Sequence, residues 1–350
     1  MTTTTNVLFI GDPHFQLNNL IEVDLFINKI TDLAKSKKPD IIIIAGDLLH
    51  THERLHTTVL NKAYEFVNAM RLISKTYILV GNHDYISNTQ YLSDNHWMNS
   101  MKEWENTVIV DRVVIETINE STFVMLPYVY PGRFVEALST IGDGWKTCDC
   151  IFAHQEFEGC QMGAITSIDG DKWCLDYPLV VSGHIHTKQK PQTNIYYSGT
   201  PFQHAFGDND KKTVSFFSFG NNKCDYILEE IDLHLPKKKI VYLDVQDMET
   251  YNADSVDDKV RITVSGNYEQ FKALKKTKKF KDMTGNGVKI CFKPDKPVEV
   301  SLMNQSIIST DDFSSVLNTI VLNKKDPYLM QAYDLILFGK KTNPSDLFFL

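Results

Sequence analysis

Apolar positions along the N-terminal half of the chain alternate between two spacings. "NVLFIGD" (residues 6–12) is a short apolar run ending in an acid. It is followed by Val23, Phe26, Ile27, Ile30, Leu33 and Ala34, which fall on one face of a helix. "DIIIIAGD" (40–47) comes next, then a second helical stripe of Leu60, Ala63, Tyr64, Val67 and Met70, then "YILVGNHD" (77–84). Strand, helix and strand in turn predict parallel strands joined by crossovers. The unbroken β-branched runs predict strands covered on both faces. Further strands are expected at 107–118, 122–129, 149–153, 178–182, 194–198, 213–219 and 225–233. The fold class is therefore α/β, with a sandwich core over residues 1–235.

The pattern changes at "PKKK" (236–239). Beyond it "IVYLDV", "KVRITV", the helix-like "YEQFKALKKTKKFK" and "GVKICFK" predict a small β-β-α-β module over 238–296, closed by a linker "PDKPVEV" that ends at 300. Residues 305–340 predict a helical pair. Phe313, Val316, Leu317, Ile320 and Val321 form one stripe, and Leu329, Ala332, Tyr333 and Ile336 the other, which Asp326-Pro327 opens and Gly339 ends. Residues 341–350 are expected to be a flexible tail ending in an apolar peptide, Leu347–Leu350.

Composition narrows the class. At 350 residues with 43% apolar content the chain can bury real cores. "MTTTTNVLFIGD" lacks the basic start of a signal peptide, and "IIIIA" is far short of the ~20 residues that span a bilayer. A cytoplasmic protein without a membrane partner is expected, or one at a nuclear or viral replication site if its origin is viral. The six cysteines (148, 150, 160, 174, 224, 291) show no C-x-x-C pair and are expected to be reduced. A net charge of −8 argues against a surface generally coated by nucleic acid.

Chemistry gathers just beyond the strands. "GDPH" places Asp12 and His14 there, "GDLLH" Asp47, "GNHD" Asn82, His83 and Asp84, "AHQE" His154, and "GHIH" His184 and His186. Ligand sites of α/β sheets form at such carboxyl ends. A histidine after one strand is most often a hydrogen-bonded structural residue; five such fragments in fixed order are another matter. Carboxylate, imidazole and amide oxygen without thiolate suit divalent ions such as Mn²⁺, Fe²⁺ or Zn²⁺, with Mg²⁺ also open. Seven candidate ligands exceed what one ion takes from a protein, so a two-ion site is expected.

D-x-H, G-D, G-N-H-D, H and G-H-x-H in this order resemble the calcineurin-like metallophosphoesterase superfamily. The resemblance implies that Asp12, His14, Asp47 and His186 hold one ion and Asp47, Asn82, His154 and His184 the other, with Asp47 bridging. It also implies a catalytic role for His83, which could protonate the leaving oxygen while Asp84 orients its ring.

Three features bear on the substrate. "GDLLHTHE" and "GNHD" depart from the G-D-x-x-D-R-G and G-N-H-E of Ser/Thr phosphatases. "YYSGTPFQHAFGDNDKK" (196–212) resembles the G-[ST]-P segment of the SbcD and MRN-complex nucleases, with the bacteriophage T4-type recombination nuclease closest, and "HQEFEGCQMG" supports that choice. His50 matches a position tied to exonuclease action in cellular members, while His52 and His56 read as surface residues. The resemblance implies a Mn-dependent DNA exonuclease and endonuclease of repair and recombination, with residues 238–300 as a capping domain and 305–340 docking on an SMC-like ATPase of the SbcC type. Its DNA contacts are sought among Lys188, Lys190, Lys211, Lys212, Lys237–Lys239 and Lys275–Lys281. A sliding clamp, through Leu347–Leu350, and a second copy of the chain are the other candidate partners. The alternatives are a stand-alone nucleotide or cyclic-nucleotide phosphodiesterase and a protein Ser/Thr phosphatase.

Overall fold

Alternate side chains of the first strand face opposite ways, and both sets are buried: Val7 and Phe9 enter one apolar layer, Leu8 and Ile10 another. Such a strand needs a covering layer on each side. The structure, a computed structural model, describes residues 4–52, 54–220, 225–252, 258–294 and 313–324, with 329, 330 and 333.

In chain order the elements of the core are β1 (Thr5–Ile10), α1 (Leu20–Lys37), β2 (Ile41–Ile44), α2 (Thr57–Arg71), β3 (Lys75–Leu79), β4 (Thr107–Val110), β5 (Val114–Ile118), β6 (Ser121–Met125), α3 (Phe134–Leu138) and β7 (Cys150–His154). Then come a hairpin of β8 (Gln161–Met162) and β9 (Ile165–Thr166), β10 (Leu179–Gly183), β11 (Gln189–Gln192), β12 (Ile195–Tyr197), β13 (Val214–Phe219) and β14 (Tyr226–Ile231). One sheet has the order β14-β13-β1-β2-β3-β4 and the other β11-β12-β10-β7-β6-β5. Strands β1 to β4 run parallel, as do β6, β7, β10 and β12, so each sheet gathers several carboxyl ends along one edge.

Between the sheets Phe9, Ile43, Tyr77 and Leu79 pack on Phe123, Phe152, Val181 and Tyr196. Outside the first sheet Phe26, Ile30, Phe66 and Val67 of α1 and α2 cover Leu8, Ile10, Ile42 and Ile44. Outside the second, Phe134, Trp145 and Trp173 cover Val124, Ile151 and Val180. The result is the expected α/β sandwich.

The expected strand over 107–118 is two strands in different sheets. The break falls at Asp111, a buried carboxylate that accepts hydrogen bonds from Lys102 Nζ at 2.5 Å and, from His96 Nε2, at 3.3 Å. A buried charge must keep such partners, so the chain turns there and crosses over. The expected 122–129 strand ends at Met125, and β8, β9 and β11 were not anticipated.

The module after the core is β15 (Lys238–Asp244), β16 (Lys259–Gly266), α4 (Tyr268–Leu274), α5 (Lys278–Gly285) and β17 (Lys289–Pro294). All three strands are parallel, and Val260, Ile262, Val264, Phe271 and Leu274 form its own core. One long helix was expected where two short ones stand, because Thr277 stops the first and caps the second by accepting from Phe280 N at 3.3 Å. Lys259 Nζ lies 2.6 Å from Oε1 of Glu22, a buried residue of α1, which ties the module to the core.

One unit covers Met1–Asp295 and a second Lys296–Leu350. In the second, α6 (Phe313–Lys324) occupies the first expected helix, with Val321 buried while Ile320, at 52%, and Leu322, at 50%, are exposed. Most of the second expected helix and the tail with Leu347–Leu350 lie outside the described residues. Among the described residues no disulfide joins the cysteines, and no helix is long and apolar enough to cross a membrane.

Candidate metal centre

Asp12 follows β1, Asp47 follows β2, Asn82 follows β3, His154 ends β7 and His184 follows β10. The two sheets bring these carboxyl ends together, and Asp12, His14, Asp47, Asn82 and His154 are all buried. The donor atoms converge. His14 Nε2 and His186 Nε2 are 2.9 Å apart, Asn82 Oδ1 is 3.0 Å from His154 Nε2 and 2.9 Å from His184 Nδ1, and Asp47 Oδ2 is 3.4 Å from His154 Nε2 and 3.5 Å from His14 Nε2. Donors about 2.1 Å from a common ion stand about 3.0 Å apart in octahedral and 3.4 Å in tetrahedral geometry. The separations match both.

Two triads, Asp12–His14–His186 and Asp47–His154–His184, each bring ligand atoms within 4.8 Å of one another. Asp47 Oδ2 faces a histidine of each. A third trio, His14–His50–His83, meets the same limit.

The surroundings hold these groups for a cation. Asp47 Oδ1 accepts from His83 N at 2.8 Å and Asp12 Oδ2 from His184 N at 2.7 Å, so each carboxylate has one oxygen fixed by backbone. Asp12 Oδ1 has no hydrogen-bond partner although buried, and His14 Nδ1 shares that state. His154 Nδ1 donates to Ala45 O at 2.7 Å, which turns Nε2 toward Asn82 Oδ1 and Asp47 Oδ2. His14, Asp47 and His184 have left-handed backbones (φ 42°, 48° and 78°), a strain that persists where packing over-determines it and that clusters at functional sites. Glycines make the room: a Cβ on Gly81 would stand 2.2 Å from Asp47 Oδ1, and one on Gly183 2.3 Å from Asp12 Oδ1.

Electrostatics agree. Burial, together with the charge of His154, lowers His184 to about 3, and burial also depresses His14 and His186, so these rings are neutral as ligation requires. Burial pushes Asp12 up to about 7. Burial also disfavours a charged His154, but Asp47 and Asp12 outweigh it and lift that ring to about 9. Without a cation the buried carboxylates keep a proton on His154; a divalent ion would take its place.

The remaining expected residues divide. His83 is half-buried at the mouth, and its Nδ1 donates to His50 O at 2.7 Å. Asp84 does not orient that ring: its Oδ2 accepts from Gly81 N and its Oδ1 from Trp97 Nε1, each at 3.1 Å, so it braces the turn that carries Asn82 and His83. The His50 ring stacks on His83 at 5.7 Å and lies edge-on to His14 at 5.4 Å. His52, expected on the surface, stacks on His83 at 4.6 Å. His56 caps α2, its Nδ1 accepting from Thr58 N.

Several neighbours escaped the sequence reading. His204 packs 5.1 Å from the His14 ring and is lowered to about 3 by burial; it lies inside the G-[ST]-P segment, which was the available signal. The Tyr128 ring is 5.6 Å from that of His184, and Glu156 Oε2 is 4.0 Å from His184 Nε2. Lys212, a candidate for DNA contact, is instead buried, and its Nζ donates to His186 O at 2.9 Å and Thr200 Oγ1 at 2.8 Å. Lys188 pairs with Glu230 and Lys239 with Asp258.

A sandwich whose two sheets deliver aspartate, asparagine and histidine to one edge defines a metal-dependent phosphoesterase. The chain belongs to the calcineurin-like phosphoesterase family, whose sequence pattern matches residues 5–188. The family binds two divalent metal ions, and this chain carries the His/Asp cluster for them. It is similar to "Putative phosphoesterase 244L" of Invertebrate iridescent virus 6, at 49% identity over 276 residues, 78% of this chain and 98% of that one. "Putative phosphoesterase 078R" of Invertebrate iridescent virus 3 is 45% identical over 300 residues, 84% and 86% of the two chains. More distant is the SbcD component of the SbcCD nuclease of Staphylococcus saprophyticus, 21% identical over 285 residues, 73% of each chain.

Proposed function

We propose that this phosphoesterase is a two-metal DNA nuclease of repair or recombination, Mn²⁺ its preferred ion, which degrades duplex ends, cuts single strands and works with an SMC-like ATPase of the SbcC type. The observation that carries the chemistry is Asp47 Oδ2 standing between His14 and His154, with a donor set on either side. Asp12, His14, Asp47 and His186 would hold one ion, and Asp47, Asn82, His154 and His184 the other. Bound there, two cations would draw charge from a phosphodiester and supply hydroxide at neutral pH.

The chain's own groups do the rest. With Nδ1–H engaged by His50 O, His83 turns Nε2 to the mouth, where it can hold a proton for the leaving oxygen. Burial and the charge of His83 lower the His50 ring below its usual value, which keeps it a neutral wall against which a strand can rest.

For DNA as substrate the support is the similarity to a nuclease component along 73% of both chains. Since Lys188, Lys212 and Lys239 are engaged within the protein, much of the duplex-binding surface is assigned to the ATPase partner, with Lys275–Lys281 of the capping module as a secondary contact. The 305–340 segment is the proposed docking element, Leu347–Leu350 a proposed sliding-clamp peptide, and a second copy of the chain a further proposed partner.

The test is purified protein with Mn²⁺ on end-labelled duplex, on single-stranded DNA and on thymidine 5′-p-nitrophenyl phosphate. Ladders of short products from duplex ends and internal cuts in single strands are expected. Turnover of the small diester with both DNAs intact would overturn the reading in favour of a stand-alone phosphodiesterase.

A further inference from the structure

The two loops that carry Asp12, His14 and Asp47 do not stop at the metal centre. They stay zipped together beyond it, His14 N donating to Asp47 O at 3.0 Å, Phe15 N to Leu48 O at 2.7 Å and His50 N to Phe15 O at 3.1 Å. Between their continuations lies a pocket of about 370 Å³. Its floor is apolar, with Phe15, Leu49 and Val59 buried, and Leu17 forms an exposed lip. Its rim carries flat polar groups: the imidazoles of His50 and His56 and the guanidinium of Arg54.

Three observations define the occupant. The wall is shared with the catalytic mouth, since the His50 ring that lines the pocket is 5.4 Å from that of His14. Arg54 on its rim is a permanent cation, which suits a ligand bearing phosphate. An apolar floor under planar imidazole and guanidinium groups receives a flat heterocycle, which stacks on such groups whatever its sequence identity. Each loop also carries a local hydrogen bond: Thr51 Oγ1 donates to Arg54 O at 3.0 Å, and Asn19 Oδ1 accepts from Gln16 N at 2.9 Å.

We propose that this pocket seats the base of the nucleotide next to the scissile phosphodiester, a base-binding subsite of the same centre. The inference rests on the reading of that centre as a DNA phosphodiesterase. A base held here ties the strand to the ligand-bearing loops and gives the chain a contact with DNA that needs no basic stripe, which suits its charge of −8.

The experiment uses the full chain with labelled leucine and valine methyl groups and bound Mg²⁺, which is diamagnetic, and strands with phosphorothioate linkages that resist cutting. Adding 2′-deoxyadenosine 5′-monophosphate should shift the Leu17, Leu49 and Val59 methyl signals by ring current, whereas 2-deoxyribose 5-phosphate should not. A short single strand should give the same shifts and lose them when its terminal nucleotide is abasic. Arg54→Ala, at an exposed rim position where folding is not at stake, should weaken nucleotide binding at least about fivefold, the low end of base stacking. Shifts that do not depend on the base, or none, would overturn the subsite while leaving DNA cleavage to stand on its own assay. Shifts with the free nucleotide but not with the strand would overturn it as a strand subsite.

Discussion

Gly81→Ala is a change of one methyl group aimed at the Asp47 carboxylate. The added Cβ would stand 2.2 Å from Asp47 Oδ1 and 2.5 Å from Asp47 N, where ordinary contact begins at 3.4 Å. Rotating the carboxylate could relieve the first clash but not the second, since backbone must give by about 0.9 Å. Gly81 has no positive φ, so the effect is one of contact and not of backbone strain. Overpacking of this size costs about 1–3 kcal/mol, and a displacement of about 1 Å at a reacting centre costs about 100-fold in rate. Because Asp47 Oδ1 also accepts from His83 N, the shift moves the Asp47 carboxylate and His83 together. The expectation is a folded protein, melting a few degrees lower, that holds fewer than two Mn²⁺ and turns over a p-nitrophenyl phosphodiester about 100-fold more slowly. Metal content by mass spectrometry, a melting curve and steady-state kinetics decide it. A variant with two ions and activity within a factor of about three would refute the packing argument.

Other changes separate neighbouring roles. His83→Asn should keep both metals while turnover falls by about 10²–10⁴-fold, the usual worth of a positioned acid, and metal loss in that variant would make His83 a ligand instead. Trp97→Phe removes one of the two hydrogen bonds to the Asp84 carboxylate and should lower stability in urea by about 1.5–3 kcal/mol; an unchanged midpoint would mean that Asp84 does not brace the turn. Asp111 is disfavoured as a charge by burial, yet hydrogen bonds from His96 and Lys102 hold its carboxyl well below the usual range. The unfolded chain takes up the proton near pH 4, so this carboxylate's contribution is present above about pH 4 and is lost as pH falls toward the lower folded value. Between about pH 5 and 3 the wild-type melting temperature should therefore drop more steeply than that of Asp111→Asn, and parallel curves would contradict the assignment.

Much of the centre was legible because its residues lie on short loops directly after strands whose apolar runs are unmistakable. Once β1, β2, β3, β7 and β10 are placed, Asp12, Asp47, Asn82, His154 and His184 can only gather at one edge. What local pattern could not show depends on contacts between distant segments. His204 belongs to a loop without periodicity, and only the packing of that loop on β1 brings it to His14. Lys212 sits in "GDNDKK", which reads as surface, yet its ammonium is buried against two oxygens. Asp84 follows His83 in sequence, but the turn points its carboxylate to Trp97. The single strand expected over 107–118 ran across Asp111-Arg112 because β-branched residues flank that pair on both sides; the partners that bury Asp111, His96 and Lys102, lie on a different segment.

The proposed chemistry depends on one carboxylate joining two cations where a phosphodiester is cut. Crystals grown with Mn²⁺ and measured at the manganese absorption edge test that directly. Two anomalous peaks about 3.5–4 Å apart are expected on either side of Asp47 Oδ2, one among Asp12, His14 and His186, the other among Asn82, His154 and His184. A single peak, or one at His14, His50 and His83 with none beside Asn82, would contradict it.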